Sequence, residues 1–162
     1  MDKSELTPEE KVKSDALRLL AVRPRSVEEL RQRLKLKKHA DGDIDGVLEL
    51  LKKQGLLDDE KFARLLANTK TLAKPVGRRQ LELDLKKKGI SPKLIAGTME
   101  NFKDYDEKEA AKKLVAGRFR RMEGLAPEKK KARLFGFLKR RGFSSDAIFT
   151  VLDQLIKEEN EG

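Results

Sequence analysis

Apolar residues along this chain recur with the spacing of an α-helix. The quartets Ile44/Val47/Leu48/Leu51, Ile95/Thr98/Met99/Phe102 and Ile148/Val151/Leu152/Leu155 each follow i, i+3, i+4, i+7. Ten residues before the first member of each quartet stands Leu34, Leu85 or Leu138, and four residues before each of those stands Leu30, Leu81 or Leu134. The two stripes recur as one pattern, displaced by 51 and then by 53 residues. A third stripe with spacing i, i+3, i+4 precedes each pair: Ala16/Leu19/Leu20, Ala63/Leu66/Ala67 and Ala111/Leu114/Val115. The step from it to the next helix is 10 residues from Leu20 to Leu30, 14 from Ala67 to Leu81 and 19 from Val115 to Leu134. Length variation is thus confined to one connection, where repeat proteins tolerate it.

The pattern predicts an all-α fold of three tandem three-helix repeats: 1–57, including a short N-terminal extension, 58–105, and 106–162 with a short tail. One such unit is too small to bury its stripes alone, so neighbours must share contacts, and an elongated array open to curvature is expected. Local signals agree with the helix starts. Thr7-Pro8-Glu9-Glu10 and Ser26-Val27-Glu28-Glu29 read as capping boxes, the first with Pro in its opening turn. Asp58/Asp59 and Asp106 precede first helices; Ser91-Pro92 and Ser144-Ser145-Asp146 open third helices. Gly55, Gly89 and Gly142 fall at helix ends.

Composition narrows the function. Without Cys there are no disulfides or thiolate metal sites, which fits a reducing cytoplasm. His39 is the single His, so a site needing two imidazoles is excluded. The stretch 1–10 is polar and acidic, unlike a secretion signal, and no apolar run approaches the roughly 20 residues that span a bilayer. The net charge is +10, unevenly held: residues 107–143 carry 13 Lys/Arg against 4 Asp/Glu, whereas 144–162 carry 1 against 5. A regional basic excess is the electrostatic footprint of a polyanion partner.

Catalytic motifs are missing. There is no phosphate-cradling Gly-rich loop and no Gly-x-Ser-x-Gly. Asp41-Gly42-Asp43-Ile44-Asp45-Gly46 imitates the start of a calcium loop, but the twelfth position is Lys52 rather than Glu. It reads as a polar turn whose last residues cap the third helix, and His39 as a surface residue. No enzymatic activity, metal or cofactor is expected.

The candidate binding residues are basic. Lys86, Lys87 and Lys88 and their counterparts Lys139, Arg140 and Arg141 follow the second stripe, as Lys35, Lys37 and Lys38 do in the first repeat. Cations there also offset the helix dipole, but that gain of about 0.3–1 kcal/mol does not require three in a row. Arg78 and Arg79, and Lys129, Lys130 and Lys131 with Arg133, open second helices, where positive charge opposes the dipole and something else must favour it. Aromatics are not interleaved with these clusters, so contact with phosphates or an acidic protein surface fits better than base stacking.

Several stretches resemble one family. Leu57-Asp58-Asp59-Glu60-Lys61-Phe62-Ala63 is similar to the LDD-x-x-FA signature of the RecX family of recombinase regulators. Leu85-Lys86-Lys87-Lys88-Gly89-Ile90 and Leu138-Lys139-Arg140-Arg141-Gly142-Phe143 resemble its L-x-x-KGI and L-x-x-RGF stretches. Ala16–Leu20 followed by Arg25-Ser26-Val27-Glu28-Glu29-Leu30 resembles its opening segment, whereas Lys74–Arg79 departs from the more Gly-rich turn of many members. The resemblance implies three tandem three-helix repeats and a protein that binds RecA filaments on single-stranded DNA, limits their extension or promotes their disassembly, and suppresses strand exchange, coprotease activity and ATP hydrolysis. A stand-alone basic DNA- or RNA-binding module and a protein scaffold with merely solvated cations are the competing readings. Nothing in the pattern calls for an obligate dimer, and a monomer is expected.

Overall fold

The computed structural model describes residues 5–162, and among them every regular element is a helix. In chain order these are α1 (Pro8–Val22), α2 (Val27–Leu36), α3 (Asp41–Lys53), α4 (Asp59–Leu72), α5 (Arg78–Lys87), α6 (Pro92–Asn101), α7 (Glu107–Arg120), α8 (Pro127–Arg140) and α9 (Ser145–Glu161). None is long and apolar enough to cross a membrane among the described residues.

The stripes become cores. Leu30, Leu34, Ile44, Val47, Leu48 and Leu51 are buried with Val12, Ala16 and Leu57 where α1, α2 and α3 pack on one another. Leu134, Leu138, Ile148, Val151, Leu152 and Leu155 are buried with Ala111, Val115 and Phe143 where α7, α8 and α9 do the same. In the middle repeat Ala63, Ala67, Leu81, Leu85, Ile95 and Thr98 are buried, and Met99 and Phe102 half-buried. By compactness the chain falls into two units. One holds the residues up to Leu65 with Leu85–Ile95, the other Leu66–Asp84 with Ala96–Gly162.

Helix ends follow the cap signals. Thr7 and Ser26 complete reciprocal capping boxes with Glu10 and Glu29. The side chains of Asp58, Ser91, Asp106 and Ser144 accept N–H groups of the turns they open. One segment differs from its sequence reading: Asp41–Gly46 is the opening of α3, not a turn. Asp41 and Asp43 sit in its first turn, where carboxylates favour the dipole, and Ala40, without a side-chain cap, holds the position of Ser91 and Ser144. His39 is half-buried rather than merely at the surface, with Nε2 2.9 Å from Asp15 Oδ2.

Candidate polyanion-binding surface

The basic residues divide by what their side chains already hold. The first division occurs at a joint between repeats that is built twice. In the first unit the buried Ser26 hydroxyl donates to the Lys88 carbonyl at 2.6 Å, and Val27 N–H donates to Asp59 Oδ1 at 2.8 Å. In the second unit the same positions, displaced by the repeat, do the same work. Gly77 N–H donates to the Arg141 carbonyl at 2.8 Å, and Arg78 N–H to Glu107 Oε1 at 2.8 Å. Each joint presses the start of one second helix onto the left-handed glycine ending the next. A Cβ on Gly89 would strike the Glu28 side chain, and one on Gly142 the Gln80 backbone. Gly89 and Gly142 have φ of 75° and 81°, open to glycine at no steric cost. The glycines of the KGI and RGF stretches are therefore packing residues.

The joint consumes the cations next to it. Lys88 Nζ lies 2.5 Å from Glu29 Oε1, and Arg23 pairs with the same carboxylate at 3.0 Å. Burial works to raise the Glu29 pKa, but the hydrogen bonds from Arg23, Lys88 and the Ser26 N–H outweigh it and hold the group at about 2. Burial pushes Asp59 up, against the Val27 N–H bond. Arg141, the counterpart of Lys88, donates to the carbonyls of Lys74 and Pro75 at 3.0–3.2 Å. Arg78 donates to the Lys103 and Tyr105 carbonyls. Its place at a helix start is explained by Glu107, which brings the missing negative charge to the α5 N-terminus from α7. Tyr105 is part of the same joint, its hydroxyl donating to the Val76 carbonyl at 3.1 Å; burial pushes its pKa up to about 12.

α9 consumes a second set. Lys130, 2% exposed, is inside the protein: its ammonium lies 2.5 Å from Glu159 Oε1 and 4.8 Å from the centre of the Phe119 ring. Lys131 pairs with Asp153 at 2.7 Å and Lys112 with Glu158 at 3.0 Å. The burial of Lys130 has a signal in the sequence, since it stands four residues before Leu134 and eight before Leu138, on the apolar stripe of α8.

The rest face solvent. Arg79, Lys86 and Lys87 are exposed on α5, with Leu83 between them, at helical spacing that places all four on one face. Lys129, Arg133 and Arg140 form a second exposed stripe along α8, and the Arg140 guanidinium lies over Gly136. Lys139 is exposed, with its ammonium 2.9 Å from Ser145 Oγ. Among the described residues Arg79, Lys87, Lys129, Arg133 and Arg140 take part in no ion pair. The matching face of α2 is Glu28, Gln32, Lys35 and Leu36, so positive charge on this face grows from the first repeat to the later ones. Two basic residues outside the sequence-derived clusters, Lys70 and Lys74, stand beside the α4–α5 link; as single lysines they carried no sequence signal. No group of three or more potential metal-ligating side chains occurs among the described residues.

Family models for the first, second and third three-helix domains of RecX match residues 13–51, 58–99 and 105–152. The chain belongs to the RecX family. The regulatory protein RecX of Mycolicibacterium smegmatis is 34% identical over 160 residues, covering 96% of this chain and 85% of that one. The regulatory protein RecX of Chlorobium phaeobacteroides is 34% identical over 151 residues, covering 93% and 97%. The crystal structure of RecX from Lactobacillus salivarius superimposes with a TM-score of 0.78 at 22% identity, over 91% of this chain and 96% of that one. That likeness speaks to the fold: three RecX three-helix domains in tandem, as the stripe spacing predicted. Membership in a family of regulatory proteins agrees with a chain whose sequence carries no catalytic motif.

Proposed function

We propose that this chain is a negative regulator of the RecA recombinase that binds RecA filaments on single-stranded DNA and limits their extension, ATP hydrolysis and strand exchange. Its place is the cytoplasm, in the recombination, DNA repair and SOS processes where such filaments form, and it works as a monomer without a cofactor. The observation that carries this reading is the match of all three RecX domains, in order, along the chain. The exposed basic stripes of α5 and α8 support it, because a filament on DNA presents phosphates to a basic partner. The contacts assigned to the partner are Arg79, Lys86, Lys87, Lys129, Arg133, Lys139 and Arg140; Arg78, Lys88, Lys130, Lys131 and Arg141 serve the fold.

RecA ATP hydrolysis on single-stranded DNA, titrated with this protein, tests the proposal. Inhibition at substoichiometric amounts is expected, and undiminished hydrolysis at an equimolar ratio contradicts it. The second reading is a stand-alone DNA- or RNA-binding protein, favoured by the same exposed cations. It requires tight binding to bare oligonucleotide, weakening roughly 10³–10⁵-fold between 50 and 200 mM salt if about 6–10 phosphates are engaged. A shallow salt dependence removes that reading and leaves the first intact.

A further inference from the structure

Beside the link between α4 and α5 lies a cavity of about 520 Å³, wholly within the second unit. Lys70, Lys74, Arg140 and Arg141 line it, against one carboxylate, Asp84. Two of the four cations are already engaged. Lys70 Nζ is 3.4 Å from Asp84 Oδ2, and Arg141 is bonded to the Lys74 and Pro75 carbonyls. Lys74 and Arg140 are exposed and take part in no ion pair among the described residues. Two like charges on the wall of one cavity repel each other, and a bound anion would offset them.

The wall between them is fixed before any ligand arrives. Val76 N–H donates to the Lys70 carbonyl at 3.0 Å, Gly77 N–H to Arg141, and Tyr105 closes on Val76 from α7's side of the joint. A fixed backbone removes part of the ordering cost of binding, leaving that of the Lys74 and Arg140 side chains. No aromatic ring lines the cavity, which disfavours base stacking and favours a charged group. Lysine and arginine side by side recognise phosphoryl oxygens, the lysine as a point charge and the arginine as a planar fork.

We infer that this cavity seats a backbone phosphate of single-stranded nucleic acid, held by Lys74 and Arg140 with Lys70 and Arg141 as the supporting wall. The inference rests on the direct nucleic-acid contact within the function proposed above, and it adds Lys70 and Lys74 to that surface. A free nucleotide shares the phosphoryl chemistry and is the rival occupant.

The test is fluorescence anisotropy of fluorescein-labelled oligothymidylate on the full chain, comparing K74E/R140E with K11E/K53E. All four positions are exposed and both variants make the same change in net charge. The expected result is a loss of at least about 10-fold for K74E/R140E, with a salt dependence shallower by roughly one phosphate contact, about 0.7 in the log–log slope, and little change of slope for K11E/K53E. Equal weakening by the two variants overturns the seat, because net charge alone then explains the binding. A titration with ATP decides the source. ATP binding by the wild-type chain that K74E/R140E abolishes, with oligonucleotide affinity no lower than in K11E/K53E, overturns the backbone assignment. A wild-type chain that binds neither probe contradicts direct nucleic-acid contact itself and so is distinguishable from failure of the seat.

Discussion

Two residues in the first repeat hold positions that the other repeats fill better. Lys38 adopts φ 64°, the left-handed conformation that Gly89 and Gly142 supply at the same place in the next repeats. A side chain there costs about 1–2 kcal/mol, part of which glycine returns as chain entropy in the unfolded state. Lys38→Gly is therefore expected to raise stability by about 0.5–1 kcal/mol, read as a higher midpoint in urea. Ala40→Ser restores the missing cap of α3 and should add about 0.5–1 kcal/mol in the same measurement. Glu29 makes the opposite case. Its folded pKa of about 2 lies below the usual carboxylate value, so the stability it contributes is present above about pH 4.5 and is lost as the pH falls toward 2. Glu29→Gln should lower stability at neutral pH and flatten the acid limb by about 2–3 kcal/mol between pH 5 and 2, measured by urea unfolding at each pH.

At the scale of the element, α8 shows what periodicity can and cannot reveal. Leu134 and Leu138 were legible as core from spacing alone, and the same spacing places Lys130 beneath them. Lys130 and its neighbour Lys129 look like one patch in the sequence, yet neighbours in a helix point about 100° apart. Its ammonium is buried against Glu159 and Phe119, so removing the acid leaves a charge unpaired inside the protein. Glu159→Ala is expected to cost about 1–3 kcal/mol, while Lys130→Met should be nearly neutral, because an apolar chain of similar volume needs no partner. Thermal midpoints of the two variants check this, and a larger loss for Lys130→Met contradicts it. The start of α3 is hidden for a related reason: Asp and Gly are turn residues by composition, but aligning Ala40 with Ser91 and Ser144 identifies the true cap. The joints were not legible, because Ser26 with Lys88 and Gly77 with Arg141 are separated by more than 60 residues and meet only on folding. Gly77→Ala would drive a Cβ into the Gly142 carbonyl and should cost about 2–3 kcal/mol.

Across the whole molecule, the proposed function rests on which charges the fold leaves exposed. The excess in residues 107–143 overstates the positive charge open to a partner, since the acidic helix α9 pairs with Lys112, Lys130 and Lys131 and the joint takes Arg141. Exposed positive charge remains on the stripes of α5 and α8, and the proposed contact with the filament rests on those side chains. The measurement that tests it most directly is RecA ATP hydrolysis on single-stranded DNA, titrated in parallel with the wild-type chain and with a variant carrying Arg79→Glu, Lys87→Glu, Arg133→Glu and Arg140→Glu. Inhibition by the wild type at substoichiometric amounts is expected, with at least a tenfold higher requirement for the folded variant, about 1.4 kcal/mol of lost binding or more. Equal inhibition by the two proteins, or none by the wild type, would contradict it.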